Sequence, residues 1–140
     1  MPRVSQPMRL EAGIAICLAV ALSAVGGPAD KRTLVEFWHV GDDGLSQQLT
    51  VEVESAFERS PDFTPSSGKK LGTLVVTIPH NIHWTKKSGR TKALYTVEYT
   101  TAEGQNLGTR SGSCWENELA ICASHILKDA RVAARKIHGP

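Results

Sequence analysis

The chain has 140 residues, and its 16 Lys and Arg residues against 14 Asp and Glu residues give a formal net charge of +2 at neutral pH. This length fits one domain. So small an excess of positive charge gives no general attraction to nucleic acid or to a membrane surface, so we expect no nucleic-acid partner.

The N-terminal segment has the pattern of an export signal. Arg3 and Arg9 precede an apolar run over residues 12–25, and small residues that suit cleavage follow. The run is about 14 residues, which is too short to span a bilayer as a helix. We predict a cleavable signal peptide over residues 1–26, a periplasmic or secreted protein, and no stable membrane span after cleavage.

Beyond the signal, we predict a flexible lead-in over residues 27–32 and a single domain over residues 33–138. Cys17 leaves with the signal peptide, so Cys114 and Cys122 remain as an even pair in an oxidising compartment. A disulfide between them is favoured, and two reduced, buried thiols are the alternative. Their spacing is not that of a redox-active pair.

The first predicted elements are a strand and an amphipathic helix. Residues 33–40 are rich in β-branched and aromatic side chains, which favours a strand. Apolar residues at helical spacing then predict a helix over residues 44–59, with Asp42, Asp43 or Ser46 at its N-terminus. Ser60–Pro61 ends it, because the residue before proline avoids the α region.

Three further strands follow in the prediction. After a short extended piece at Phe63–Thr64, residues 71–79 form a strand that can continue to Trp84 past Pro79. A hairpin turn over residues 85–89 leads into an alternating strand over residues 90–101. A more polar strand over residues 106–113 comes next.

The last predicted element is a helix whose N-terminus is a capping box formed by Ser113 and Glu116. An apolar stripe continues to Ile137. The predicted order is β-α-β-β-β-α, an α+β fold with a mainly antiparallel four-stranded sheet and two helices packed on one face. We expect Trp38 and Trp115 to be core residues or to pack on the disulfide.

This order of elements resembles small periplasmic α/β modules. The features that carry the resemblance are a first strand ending in a Gly-Asp turn, a helix ending in Ser-Pro-Asp-Phe over residues 60–63, and then a meander and a long helix. Such modules include the N-terminal domain of the Tol-system propeller protein and the activator lipoproteins of penicillin-binding proteins. The resemblance implies binding to other envelope proteins without a catalytic site, in a family of small exported bacterial proteins.

Two constellations could carry metal or acid–base chemistry. His80 and His83 can share a metal ion, but zinc needs three or four ligands, and no second cluster supplies the others. Asp42 and Asp43 could bind a cation, although at the entrance to a helix such residues usually serve as caps. We therefore expect no metal site and no cofactor.

Three residues could form a nucleophilic site. Ser111, Ser113 and His125 suggest a serine and base, but no G-x-S-x-G motif accompanies them. We therefore expect no catalytic residues and no enzymatic activity. A hydrolase or metal-binding protein that uses His80 and His83 is the hypothesis from a different class.

The predicted hairpin is the candidate binding site. Lys86, Lys87, Arg90 and Lys92 cluster there beside Trp84, which we expect to be an exposed interface anchor. Hairpins are also lysine-rich simply because charge prevents edge-to-edge aggregation.

The functional prediction is a small exported envelope protein that acts by protein–protein interaction on an envelope protein or on an acidic periplasmic target. The alternative is an inhibitor or immunity-type protein that blocks a periplasmic hydrolase through the hairpin over residues 82–90. Exposed sheet edges also permit a homodimer.

Overall fold

A computed structural model describes residues 32–68 and 70–139. The predicted signal peptide with Cys17, and all of the predicted lead-in except Arg32, lie outside these residues. The elements, in chain order, are β1 (Thr33–His39), α1 (Gly44–Arg59), β2 (Phe63–Pro65), β3 (Leu74–Ile78), β4 (His83–Lys87), β5 (Arg90–Thr101), β6 (Asn106–Trp115), a 3-10 turn (Glu116–Glu118) and α2 (Leu119–His138).

The sheet is mixed and has six strands, so the predicted α+β class is confirmed but the four-stranded count is wrong. β1 pairs with β2 and β3 in parallel, whereas β5 pairs antiparallel with β3, β4 and β6. The extended piece at residues 63–65 forms an edge strand on β1. The stretch after Pro79 forms β4, a strand separate from β3, on the half of β5 that β3 leaves free.

The two helices pack against each other on one face of the sheet. α1 contacts β2 and α2, and α2 contacts β3, β5 and β6. One apolar cluster fills the space between sheet and helices, with Leu49, Val76, Val97 and Ile126 fully buried in it. The opposite face of the sheet carries no layer among the described residues. No helix within them has the length and hydrophobicity needed to cross a bilayer.

Both tyrosines of the chain belong to this core. The Tyr99 hydroxyl donates to the carbonyl oxygen of Ile126, 3.1 Å away, and joins β5 to α2. Burial, followed by the charge of Asp129, raises the pKa of Tyr95 to about 12. The same two causes raise the pKa of Tyr99 well above its usual value. Both phenols are therefore held in their neutral form, because the charged form loses its hydration in the core.

The N-terminus of α1 is capped as predicted, whereas that of α2 is not. The Asp43 carboxylate accepts from the Ser46 amide at 2.7 Å. Ser113, predicted as the cap of α2, lies instead in β6, paired with Leu94 of β5. The helix begins six residues later, after the 3-10 turn, with Glu118 at the N-cap position and no side-chain cap hydrogen bond. Pairing with β5 therefore outweighs the local capping signal.

The disulfide between Cys114 and Cys122 is present, as predicted. Cys114 is at the end of β6 and Cys122 is in the first turn of α2, with a Cα–Cα distance of 5.6 Å. The late start of the helix makes this geometry accessible, because the 3-10 turn reverses the chain between the two cysteines. Both side chains are buried, so the bond is part of the core.

Candidate functional site

The candidate site is built on the β4–β5 hairpin. Its turn consists of Ser88 and Gly89, which both have positive φ angles of 53° and 76°. Positive φ at both central residues is the geometry of a type I′ turn, whose twist matches that of the flanking strands. The turn is therefore shorter than the predicted range of residues 85–89, and the paired strands extend to Lys87 and Arg90.

Three cations of the hairpin lie on the open face of the sheet together with Trp115. Lys92 is the cross-strand neighbour of Trp115, and Lys87 that of Arg90. Because side chains alternate along a strand, Arg90 and Lys92 share a face. We define these four residues, Lys87, Arg90, Lys92 and Trp115, as the hairpin surface.

The aromatic ring of Trp115 supports two of these cations. The Arg90 guanidinium carbon is 4.0 Å from the ring centroid, and the Lys92 ammonium nitrogen is 5.7 Å from it. Both distances are within the range of cation–π attraction. An arginine in contact with an aromatic ring can still donate its N–H groups to a carboxylate, and Arg90 is exposed to solvent.

The other two predicted binding residues lie on the opposite face. Trp84 is paired with Ala93, and Lys86 with Thr91, so both side chains point away from Trp115. Trp84 is half-buried and packs against the core cluster. The structure thus keeps Lys86 at the hairpin but separates it, with Trp84, from the stacked cations.

The sequence did not identify Trp115 as part of this site, because it was expected in the core. The sequence did contain a signal for this placement. If the predicted strand over residues 106–113 continues by two residues while it pairs with the strand over residues 90–101, Trp115 becomes the neighbour of Lys92. Trp38, also expected in the core, is 57% exposed on β1.

The segment between β3 and β4 is fixed to the start of α1 by hydrogen bonds. The Ile82 amide donates to the buried Ser46 hydroxyl at 2.9 Å, and that hydroxyl donates to the Asp43 carboxylate at 2.9 Å. Asn81 exchanges two hydrogen bonds with Asp42, of 3.0 and 3.2 Å. Asp42 and Asp43 thus organise the helix start and this loop.

The residues considered for metal and acid–base chemistry are dispersed. His80 and His83 are both exposed, and no group of three or more metal-ligating side chains exists among residues 32–68 and 70–139. Ser111 hydrogen-bonds to Thr96 across the open face, with their hydroxyl oxygens 3.0 Å apart. His125 is exposed on α2, which packs on the other face, so the structure does not bring it to Ser111.

Comparison with known proteins gives solved structures only. No family model and no curated protein matches the chain. The chain is similar to TolB from Acinetobacter baumannii, with 20% identity and a TM-score of 0.48 over 75% of this chain and 28% of the TolB chain. It thus spans about 28% of the length of TolB.

Two further solved structures are similar over most of their own length. The PelC dodecamer from Paraburkholderia phytofirmans has 14% identity and a TM-score of 0.39, over 76% of this chain and 87% of that one. A minor lipoprotein from Acinetobacter baumannii has 11% identity and a TM-score of 0.36, over 77% and 92%. The predicted resemblance to the Tol-system protein is confirmed by the presence of TolB among these structures. At these identities and TM-scores the similarity transfers no function.

Proposed function

We propose that the protein is an exported, non-catalytic module of the cell envelope that binds an acidic partner protein through the hairpin surface. The observation that carries this proposal is the stacking of Arg90 and Lys92 on Trp115, at 4.0 and 5.7 Å. Contact with the aromatic ring restricts the movement of the Arg90 side chain before any partner arrives.

Preorganisation is what distinguishes these cations from ordinary surface lysines. An isolated lysine on a hairpin loses side-chain entropy when it binds a carboxylate. This loss cancels much of the favourable electrostatic free energy of the ion pair. The stacked Arg90 has already lost part of that freedom, and it forms no ion pair within the described part of the chain. Its N–H groups are therefore available to a carboxylate of a partner.

The partner that fits best presents Asp or Glu side chains around an apolar group. Carboxylates would pair with Arg90 and Lys92, and the apolar group would contact the rest of the Trp115 ring. Trp and Arg are enriched among the residues that dominate binding energy at protein interfaces. We expect the attraction to weaken at high salt, because the cations lie in solvent, where ions screen them.

An oxidising compartment is supported by the buried disulfide. Such bonds persist in secreted and periplasmic proteins and are rare in the cytosol. Together with the predicted signal peptide, the Cys114–Cys122 bond supports a periplasmic or secreted location.

The test is capture of partners from an envelope fraction by the exported form and by an Arg90→Glu/Lys92→Glu variant. We expect an acidic protein to bind the wild type, to elute as salt is raised, and to be lost with the variant. The matched control is Lys70→Glu/Lys128→Glu, which makes the same change in charge at two exposed lysines away from the hairpin.

Equal loss of the partner with both variants would mean that net charge alone attracts it, and the proposal would be wrong. Thermal unfolding of each variant shows whether it has folded. Inhibition of a hydrolase through the segment over residues 82–90 is a narrower form of the same proposal, and assaying the captured protein for hydrolase activity with and without this module tests it. A homodimer remains a prediction, and the molar mass of the purified protein in solution tests it.

A further inference from the structure

A second feature lies near the edge of the sheet opposite the hairpin. It is the C-terminal part of β1, residues 37–39, which extends beyond the end of β2. β2 ends at Pro65, and the next amide, that of Ser66, donates to the Val35 carbonyl at 2.8 Å. Backbone groups alternate in direction along a strand, so those of Phe37 and His39 point to the same side as those of Val35. Among residues 32–68 and 70–139, no strand pairs with them on that side.

A groove of about 370 Å³ lies directly beside this free edge. Phe37, Trp38 and Phe57 contribute apolar wall, and Trp38 is the most exposed of them at 57%. β1 forms one side of the groove, the C-terminal half of α1 another, and the segment after β2 closes its end. We define this feature, with the free edge, as the β1 groove.

The charge of the β1 groove is negative. Glu36, Glu54 and Glu58 line it, and Glu54 and Glu58 are one helical turn apart on α1. None of the three forms an ion pair within the described chain. The lining contains no lysine or arginine among the described residues.

We infer that the β1 groove binds an extended, basic segment of a partner protein, which adds a strand to the free edge of β1. Within the part of the chain that the structure describes, the N–H and C=O groups of Phe37 and His39 have no strand partner on that side, and they supply the backbone hydrogen bonds, as in other cases of strand addition. An unprotected edge with free donors and acceptors is a template for such pairing.

The side-chain pattern of the bound segment follows from the pleat of the sheet. Alternate residues of an added strand face α1, where they meet Glu54 and Glu58. The residues between them face the open side of the sheet, where Trp38 offers an apolar surface. The segment that fits therefore carries Lys or Arg at every second position and apolar residues between. This inference does not depend on the hairpin surface, because it uses another edge and the opposite charge.

The test uses the exported form of the protein and a short synthetic peptide of alternating lysine and valine with blocked ends. Amide hydrogen exchange, followed by NMR, should be fast at Phe37 and His39 in the free protein and at least about tenfold slower with peptide, because a hydrogen-bonded amide exchanges only on opening. A glutamate–valine peptide of equal length should leave both rates unchanged. So should a lysine–valine peptide that is N-methylated at every amide, because the methyl groups then block both edges of the peptide strand.

A double substitution tests the contribution of the glutamate charges to binding separately from that of the backbone hydrogen bonds of β1. Glu54→Gln/Glu58→Gln should weaken binding of the lysine–valine peptide about fivefold. The matched control, Glu103→Gln/Glu118→Gln, removes two charges at exposed positions outside the β1 groove and should leave the affinity unchanged.

Three outcomes would overturn the inference. One is unchanged exchange at Phe37 and His39 with saturating lysine–valine peptide. Another is equal weakening by both double variants. The third is slow exchange at both amides without peptide, because a second copy, or the N-terminal segment of the chain itself, would then already cover the edge. Each would leave the proposal for the hairpin surface untouched.

Discussion

Opening the Cys114–Cys122 bond should lower the free energy of unfolding by about 2.5 kcal/mol. The two cysteines are 8 residues apart in sequence. In the chain-entropy model, closing so short a loop restricts the unfolded chain by about 9 cal/mol/K, which gives about 2.5 kcal/mol at room temperature. For a domain of this size, the melting temperature should fall by roughly 10 to 20 °C.

The measurement is denaturant unfolding of the exported form with and without reductant. This comparison isolates the crosslink, because reduction only adds two hydrogen atoms and removes no side chain. A Cys114→Ala/Cys122→Ala variant is the control, and its stability should not respond to reductant. It should also be less stable than the reduced wild type, because Cys114 and Cys122 are 6% and 0% exposed and alanine leaves small cavities.

The result that would refute this reasoning is a reductant effect below about 0.5 kcal/mol, with the bond shown by mass to be open. The unfolded chain would then be restricted by something other than the crosslink. An effect of the same size in the double alanine variant would show that reductant acts elsewhere.

Three further predictions concern the core and the loop between β3 and β4. Ser46→Ala should cost roughly 1 to 3 kcal/mol, because it leaves the buried Ile82 amide without its 2.9 Å acceptor. Gly112→Ala should cost about 1 to 3 kcal/mol, because the new Cβ would overlap the Tyr95 hydroxyl and ring. The phenols of Tyr95 and Tyr99 should ionise in the native protein only at about pH 12 or above, because burial raises each pKa well above the usual tyrosine value of 10.0. Since the unfolded tyrosines ionise first, stability should be complete below about pH 10 and fall as the pH rises through about 12.

Denaturant unfolding checks the two substitutions, with Ser55→Ala and Gly44→Ala as controls. Ser55 is half-buried on the same helix, and a Cβ on Gly44 would meet no atom within 4 Å. Losses equal to those of the controls would contradict both predictions. The ultraviolet absorbance of phenolate, titrated in native and denatured protein, checks the third. A native tyrosine that ionises near pH 10 would contradict it.

Elements with a strong internal pattern were predictable from the sequence. The bounds of α1 and β5 coincide with the predicted residues 44–59 and 90–101, because a helical stripe and strict alternation are properties of the segment itself. The failures occur where one segment depends on another. The pattern of residues 113–116 suits a helix cap, yet pairing with β5 extends β6 to Trp115. The short segments at 63–65 and 83–87 become strands because β1 and β5 offer them free edges.

The candidate site, too, was predictable from the sequence only in its local features. The sequence located the cationic hairpin, but it could not decide which tryptophan belongs to it. The side that a strand residue faces depends on the register of pairing, and a shift of one residue would exchange the two faces. The observed register places Trp115 under Arg90 and turns Trp84 towards the core.

What the sequence determined by itself is therefore local: the extent of the main helix and strand, the pair of cysteines, and the positions of the charges. Only the tertiary structure decided which charges share a face, which aromatic side chains are exposed, and which part of β1 has one side that no other described strand pairs with. The physical reason is that amphipathic pattern is encoded within a few residues, whereas strand register and edge exposure arise from contacts between segments far apart in the chain.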